Sequence, residues 1–308
     1  MKVGLMLGGG GARGSYQIGI LKALDEYGLK EMFSAISGVS IGALNGYFYL
    51  STNSYQTVLD AWFYGVDNNP IEFSKRQKGK GKKGLFSNDV LYEMEEKYAD
   101  KEIFKNTKTD LYITVLKIKN PKITSMVPWR WEKVVKHANT SKNPLKDAIS
   151  SSSIPIIFGA NEVDNSYFID GGLADNNPID ILIEKGCNLI FACSLDYNYD
   201  YKKYKDKNIT IVNITSTNVF PRGIVNQLVG VIDFKKSLFI ERMNYGYYVM
   251  SEMIKECVKL GILKIEHKKY VTGTISDKFK IINVPLYVKA NIKIMREEYE
   301  TKMKGEKK

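Results

Sequence analysis

The feature that most constrains the fold is the segment 33–46, FSAISGVSIGALNG, which joins an apolar strand to a helix through a tight turn. The turn has the pattern Gly-x-Ser-x-Gly, with Ser40 between Gly38 and Gly42. A serine at such a corner, a nucleophile elbow, holds its Oγ clear of the sheet, and the glycines let the backbone segments approach without Cβ clashes. The helix N-terminus behind it favours a developing negative charge. The segment therefore predicts a nucleophilic serine, with a purely structural glycine-rich turn as the alternative.

A strand, a glycine loop and a helix precede this corner. Residues 3–7 are a continuous apolar run, residues 8–14 read GGGGARG, and apolar side chains then recur at helical spacing up to residue 28. The elbow strand, 33–37, arrives after a crossover of the length that a parallel βαβ unit needs. We therefore expect the two strands to be neighbours in one sheet, with both glycine-rich turns at its carboxyl edge.

The glycine loop is compatible with two uses. Gly9, Gly11 and Gly14 match the Gly-x-Gly-x-x-Gly pattern of dinucleotide-binding loops. That use also requires an acidic residue at the end of the second strand to hold a ribose hydroxyl, whereas this strand ends in the elbow. A row of backbone N–H groups beside a serine is better suited to an oxyanion hole. Arg13 braces the loop or adds positive field, and the alternative is that it makes an ordinary ion pair.

A candidate base occurs much later in the chain. Residues 167–169 are a short predicted strand that delivers Asp170 into a Gly171-Gly172 turn. An aspartate held by a glycine pair at a strand end can point into a site as a general base. The alternative is that Asp170 only stabilises its own Asx turn.

Apolar spacing predicts further elements around these motifs. Helices are predicted at 55–64, 88–97 with Ser87 as N-cap, 177–182, 224–234 and 243–263. Strands are predicted at 111–117, 123–127 and 189–195, the first two as a pair. The polar connection 65–86 is long enough to be a mobile cover.

Taken in order, GGGGARG, GVSIGALNG and IDGG resemble the motifs of the patatin-like phospholipase family, and the resemblance covers residues 1–215. It implies an α/β fold of three α/β/α layers with a mainly parallel central sheet. It also implies a serine acyl hydrolase of the phospholipase A or lysophospholipase type, which releases fatty acids from lipid esters without a metal or other cofactor. Residues 216–308 lie beyond the motifs, and we expect a helical or mixed extension packed on or following the catalytic domain.

The resemblance also implies roles for individual residues. Ser40 would be the nucleophile and Asp170 the base of a Ser-Asp dyad, and the N–H groups of Gly9, Gly10 and Gly11 would form the oxyanion hole. The expected supporting residues are Arg13, Gly38, Gly42, Gly171 and Gly172. A carboxylate base ionises at about pH 4, so the dyad predicts activity below about pH 6, where an imidazole base would be lost.

The histidines leave a second enzyme class open. The chain has two, His137 and His267, both flanked by lysines and away from strand-end glycine turns, so each is expected to be solvated. Ser40, Asp170 and His267 nevertheless follow the chain order of an α/β-hydrolase triad. Against this alternative, the serine comes too early for the strands that precede the elbow in that fold. The non-enzyme alternative is a catalytically silent module that binds lipid or a partner.

Composition indicates where such a protein would work. The net charge of +11 comes mostly from scattered lysine, but Lys75–Lys83 (KRQKGKGKK) is a basic loop that can lie against an anionic membrane. No nucleic-acid-reading motif accompanies the basic residues, so nucleic acid is not an expected partner.

Cys187, Cys193 and Cys257 form no Cys-x-x-Cys pair and are predicted to be reduced core residues. The N-terminus has no signal-peptide core, and no apolar span of about 18 residues follows, which predicts a cytoplasmic protein with peripheral membrane contact.

Overall fold

The computed structural model describes residues 1–68, 88–119, 131–155, 157–215, 219–220 and 230–305. In these ranges the strands are β1 (Lys2–Leu7), β2 (Phe33–Val39), β3 (Asp110–Ile118), β4 (Glu132–His137), β5 (Asn161–Val163), β6 (Ser166–Asp170), β7 (Cys187–Cys193), β8 (Thr210–Asn213), β9 (Leu263–Glu266), β10 (Lys269–Thr272) and β11 (Lys280–Ile282). The helices are α1 (Ser15–Glu26), α2 (Ile41–Leu50), α3 (Tyr55–Asp67), α4 (Asp89–Tyr98), α5 (Lys101–Asn106), α6 (Pro144–Ser151), α7 (Asp180–Glu184), α8 (Lys236–Lys259) and α9 (Leu286–Gly305). The basic loop Lys75–Lys83, the predicted strand 123–127 and most of the connection 65–86 lie outside the described residues.

Nine of these strands form one mixed sheet in the described part of the chain. β11, β8, β7, β1, β2 and β3 lie side by side in this order, and each pairs in parallel with the next. β4 and β6 both pair antiparallel with β3, and β5 extends the sheet beyond β6. β1 and β2 are neighbours, as the length of the crossover between them predicted.

Both faces of this sheet are covered, which explains why its central strands are almost continuously apolar. In β1, Leu5 and Leu7 belong to a core built with α1, α2 and α8, whereas Met6 belongs to a second core built with α7. Successive residues of a strand point to opposite faces, so helices pack on both sides of the sheet. An α/β fold with three layers and a mainly parallel centre is confirmed.

Several predicted boundaries were wrong. α3 continues to Asp67, past the predicted start of the polar connection, and α4 begins at Asp89 after Asn88. The helix predicted from residue 177 begins at Asp180. The helix predicted at 243–263 begins already at Lys236 and ends at Lys259, because Gly261 adopts a positive φ of 70° and turns the chain into β9. Side-chain spacing alone misses such ends because the terminating interactions are backbone ones.

Beyond residue 215, α8 packs on α1, the helix that follows the glycine loop. This helix crosses α1 at two glycines: a Cβ on Gly19 would strike the carbonyl oxygen of Met243, and a Cβ on Gly246 would strike that of Tyr16. β11, from the same part of the chain, joins the sheet beside β8. Neither α8 nor any other helix in the described ranges has an apolar stretch long enough to cross a membrane.

Candidate active site

β3 brings the ends of two distant strands together. β4 occupies one edge of β3, so β2 and β6 share the other edge. β2 runs along that edge as far as Val39, opposite Thr114, and β6 arrives from the opposite direction with Asp170 opposite Val115. The two strand ends therefore meet at consecutive residues of β3. Ser40 follows Val39 directly, so it faces Asp170 although 130 positions separate them in the chain.

Ser40 has the backbone conformation expected of a nucleophile elbow. Its φ is 53° and its ψ is −128°, a region that residues other than glycine rarely adopt. The turn can close because its two glycines carry no Cβ. A Cβ on Gly42 would strike the carbonyl oxygen of Leu7, and one on Gly38 would lie 2.7 Å from the Cα of Ala43.

Asp170 contacts the serine directly. Ser40 Oγ donates a hydrogen bond to Asp170 Oδ2 at 2.6 Å, and Asp170 Oδ1 accepts the N–H of Gly172 at 2.7 Å. Both Ser40 and Asp170 are only 6% exposed. A Cβ on Gly171 would strike the carbonyl oxygen of Thr114, so this glycine lets the turn lie against β3.

The protonation behaviour of Asp170 differs from that of an ordinary aspartate. Burial raises the pKa of its carboxyl group to about 6, although the hydrogen bonds from Ser40 and Gly172 oppose the shift. The expectation that this carboxylate ionises at about pH 4 is therefore wrong, because it ignored desolvation. A carboxylate with a raised pKa takes a proton from a hydroxyl more readily, which suits a general base that works near neutral pH.

The glycine loop lies beside Ser40, and its three candidate donors differ. The N–H of Gly9 donates to the carbonyl oxygen of Asn176 at 3.2 Å. In the described ranges the N–H groups of Gly10 and Gly11 have no acceptor, so they are the donors available to an oxyanion. Gly11 has a φ of 54°, and a Cβ on it would strike the carbonyl oxygen of Val231. The glycines thus allow the loop to pass between the elbow and the 230–234 segment.

Arg13 braces the glycine loop. Its Nε donates to the carbonyl oxygen of Gly10 at 3.3 Å, and its Nη1 donates to that of Leu195 at 2.9 Å. The guanidinium also lies 5.7 Å from the ring centre of Phe220. Burial lowers the pKa of Arg13 from its ordinary value, and the charge of Asp196 opposes this. Of the roles left open by the sequence, these contacts favour bracing.

Two groups of polar residues around the site escaped the sequence analysis. Ser151, at the end of α6, accepts the backbone N–H of Ser40 on its Oγ and donates to the carbonyl oxygen of Thr114. Asp196 accepts a hydrogen bond from the amide of Asn176 at 2.8 Å and from that of Asn177 at 2.6 Å. The Asn-Asn pair just before Pro178 is a usable signal, since it follows the Asp170 turn so closely, although its local pattern predicts only a helix start.

An apolar cavity opens beside Ser40. α2, α3, α4 and the 230–234 segment supply its walls, which include Leu44, Phe48, Trp62, Met94 and Phe234. The indole N–H of Trp62 donates to Asn45 Oδ1 at 2.8 Å, so this polar atom is satisfied within the wall. The cavity therefore offers apolar walls to a group whose reactive end lies at Ser40.

A second cleft also reaches Ser40. It contains Asp170, the glycine loop and Asn176, and its lining includes Leu173 and Ile232. Ser40 belongs to the linings of both spaces, so the serine stands where the apolar cavity joins this more polar cleft.

Neither histidine takes part in this arrangement. His137, half-buried at the end of β4, lies 2.9 Å from Asp110 and stacks on Tyr112. His267 lies in the exposed turn between β9 and β10 with a φ of 49°. Neither lines the cavity or the cleft. In the described ranges, no three His, Cys, Asp or Glu side chains are grouped so as to hold a metal ion, and the three cysteines are buried and unpaired.

The chain matches the family model described as "Patatin-like phospholipase" over residues 5–183. It is 28% identical over 243 residues to "Probable lipid hydrolase 463L" of Invertebrate iridescent virus 6, covering 69% of this chain and 78% of the viral protein. It is also 28% identical over 193 residues to "Neuropathy target esterase sws" of Drosophila melanogaster. That match covers 62% of this chain but only 12% of the Drosophila protein, so the chain spans a small part of that relative.

Among solved structures, the chain is similar to the heterodimeric complex ExoU-SpcU from the type III secretion system of Pseudomonas aeruginosa. The TM-score is 0.43 with 15% sequence identity, over 84% of this chain and 52% of the other.

Proposed function

This chain belongs to the patatin-like phospholipase family, and from that premise we propose that it is a serine acyl hydrolase that releases fatty acids from lipid esters, of the phospholipase A or lysophospholipase type. The observation that carries the proposal is the 2.6 Å hydrogen bond from Ser40 Oγ to a buried aspartate whose pKa is raised to about 6. Such a carboxylate is a stronger base than an ordinary aspartate, and it is already aligned with the hydroxyl proton that it must remove.

In the proposed mechanism, Ser40 Oγ attacks the ester carbonyl carbon while Asp170 Oδ2 takes the hydroxyl proton. The N–H groups of Gly10 and Gly11 stabilise the resulting oxyanion, and each such donor typically contributes about two to three orders of magnitude in rate. The leaving alcohol takes the proton from Asp170, and an acyl-enzyme remains. A water molecule, deprotonated by Asp170, then attacks the acyl carbon and releases the fatty acid, and Ser40 recovers its proton.

The cavity and the cleft that meet at Ser40 support separate binding places for the two parts of an ester substrate. The acyl chain would occupy the apolar cavity walled by Phe48, Trp62 and Met94. The alcohol part, with its headgroup, would lie in the cleft beside Asp170 and Asn176. Each CH₂ group removed from water contributes about 0.8 kcal/mol, so the apolar lining of the cavity favours acyl chains that are long enough to contact it.

The α/β-hydrolase alternative, with His267 as the base, has less support because this histidine is exposed and lines neither space. A silent lipid-binding or partner-binding module is disfavoured by the strained conformation of Ser40. Strain of this kind costs on the order of 1–3 kcal/mol, and it persists mainly where function requires it.

We also propose that the enzyme works in the cytoplasm and contacts anionic membranes peripherally through Lys75–Lys83. The support is the sequence of this loop alone, since each lysine near an anionic surface contributes about 1 kcal/mol. Replacing its lysines with glutamine should weaken sedimentation with anionic vesicles at low salt.

The experiment that tests the hydrolase assignment uses a soluble short-chain p-nitrophenyl ester and a fluorophosphonate probe. The purified protein should cleave the ester and be labelled at Ser40, and Ser40→Ala should abolish both. Ser34→Ala, in the same strand ahead of the elbow, should leave both unchanged. Full ester cleavage by a folded Ser40→Ala variant would exclude the proposed nucleophile.

A further inference from the structure

Two exposed apolar side chains lie at the mouth of the catalytic cleft. Leu173 is 54% exposed and Ile232 is 44% exposed, and both belong to the lining of the cleft that holds Ser40 and Asp170. We call these two residues the apolar rim. Leaving large aliphatic side chains in water is unfavourable, so an exposed pair around a functional opening calls for an explanation.

The rim residues are attached to the two backbone segments that hold the chemical groups. Leu173 ends the short turn that begins directly after Asp170, in which Gly172 donates to the Asp170 carboxylate. Ile232 follows Val231, whose carbonyl oxygen lies against Gly11 of the glycine loop. One rim residue therefore lies on the base side of the cleft and the other on the oxyanion side.

We propose that the apolar rim inserts into the acyl region of a lipid bilayer and seats the mouth of the cleft on the membrane surface. This rests on the proposed function, because only a lipid substrate requires the cleft to open into a bilayer. The rim lines the cleft, the apolar cavity with Phe48 and Trp62 lies beyond Ser40, and the two spaces meet at the serine. An acyl chain could pass from the bilayer to the buried serine along them without crossing bulk water.

The chain offers matched controls for this proposal. Ile265 on β9 is 58% exposed and Leu286 at the start of α9 is 83% exposed, and neither lines the cavity or the cleft. If general surface hydrophobicity caused membrane binding, these residues would contribute at least as much as the rim.

The first experiment measures partition onto vesicles of phosphatidylcholine alone at high salt, so that electrostatic attraction is screened. The Ser40→Ala protein is used because it cannot consume the lipid. Adding Leu173→Ser and Ile232→Ser should lower the partition coefficient by about fivefold for each residue. Adding Ile265→Ser and Leu286→Ser instead should leave the coefficient unchanged. Equal losses in the two pairs, or no partition of the parent protein, would overturn the proposal.

A second experiment detects insertion directly and does not depend on how much a substitution weakens binding. Cys187, Cys193 and Cys257 are at most 2% exposed, so a cysteine introduced at the surface can be labelled selectively. An environment-sensitive fluorophore on Leu173→Cys should shift to the blue and gain intensity with phosphatidylcholine vesicles, whereas the same label on Ile265→Cys should not. An unshifted label at position 173 on vesicle-bound protein would contradict insertion.

The outcomes separate this proposal from the proposed function. If Ser40→Ala abolishes hydrolysis of a soluble ester but the rim has no effect on partition, the enzyme assignment stands and the rim proposal fails. If light scattering shows that the rim substitutions dissociate a dimer while vesicle partition is unchanged, the rim is a contact between copies of the chain, and the proposal is overturned.

Discussion

The side chain of Ser151 holds the backbone of Ser40: its Oγ accepts the Ser40 N–H at 2.8 Å and donates to the carbonyl oxygen of Thr114 at 2.6 Å. One hydroxyl at the end of α6 therefore ties the elbow to β3. Ser151 is fully buried, so no water can replace these bonds without rearrangement.

Replacing Ser151 should loosen the elbow. Ser151→Ala removes a hydrogen bond from each of two backbone groups, which should destabilise the fold by about 1–3 kcal/mol and lower kcat by about tenfold through misplacement of Ser40. Ser150→Ala is the matched control, because within the described part of the chain the hydroxyl of Ser150 bonds only to the carbonyl oxygen of Lys146 in its own helix. Urea unfolding and ester hydrolysis would measure both effects. Equal behaviour of the two variants would show that the contact to Ser40 has no special role.

Removing the carboxylate of Asp170 should stop catalysis, whereas removing either histidine should not. Asp170→Asn keeps the shape of the side chain but cannot accept the serine proton, so kcat should fall by several orders of magnitude. His137→Ala and His267→Ala should change kcat by less than about threefold. A folded but inactive His267→Ala variant would instead support the triad.

The raised pKa of Asp170 changes the expected pH profile. Activity requires the ionised carboxylate, so it should fall as the pH drops through about 6 rather than persist to about pH 4. An imidazole base would titrate in the same range, so the wild-type profile alone cannot distinguish Asp170 from a histidine as the base. The pH profile of His267→Ala separates them. Its activity should still fall as the pH drops through about 6 if Asp170 is the titrating group, and this fall should be absent if the histidine is.

The same pKa has a consequence for stability. The native protein holds the Asp170 proton more tightly than the unfolded chain does, so stability should fall as the pH rises from about 4 to about 6 and stay lower above that, by roughly 3 kcal/mol. The amide of Asp170→Asn can accept from Gly172 and donate to Ser40 Oγ, so it loses no hydrogen bond. The melting temperature of the variant should therefore be several degrees above that of wild type at pH 8 and equal to it at pH 4. A difference that does not depend on pH would refute the buried, ionised state of Asp170.

The apolar cavity should set the acyl-chain preference. Gly65 lines it, and a Cβ there would lie 3.0 Å from the sulfur of Met94, a flexible neighbour that can move. Gly65→Leu should fill part of the cavity and lower kcat/KM for long-chain esters by at least about tenfold while short-chain esters keep their rate. Gln56→Leu, on the exposed side of the same helix, controls for general effects on α3. An equal loss of kcat/KM for esters of all acyl-chain lengths would show that the acyl group does not bind in this cavity.

The docking of α8 should be required for a complete site. A methyl group at Gly246 would strike the carbonyl oxygen of Tyr16, so Gly246→Ala should destabilise the protein by about 1–3 kcal/mol or more. It should also lower activity, because the 230–234 segment just ahead of α8 packs on Gly11. Asn244→Ala, on the exposed side of α8, should affect neither property. Calorimetry and ester hydrolysis would test both expectations.

The sequence by itself determined the local geometry around each motif. The elbow at Ser40, the glycine loop and the Asp170 turn depend on backbone conformations that glycine allows and other residues resist, and these can be read from a few consecutive residues. The parallel pairing of β1 and β2 could be predicted for a similar reason, since the crossover between them is short and its apolar periodicity is unbroken. Element ends were less certain because they depend on backbone and capping contacts, as at Gly261 after α8.

Only the tertiary structure decided how these motifs combine. Ser40 and Asp170 meet because β2 and β6 run towards each other along one edge of β3, and that register depends on segments more than a hundred residues apart. The contacts of Ser151, Asn176 and Asp196 follow from the same packing. The raised pKa of Asp170 could not be predicted from the sequence either. Desolvation depends on what the whole fold packs around a group, and not on the neighbours of that group in the chain.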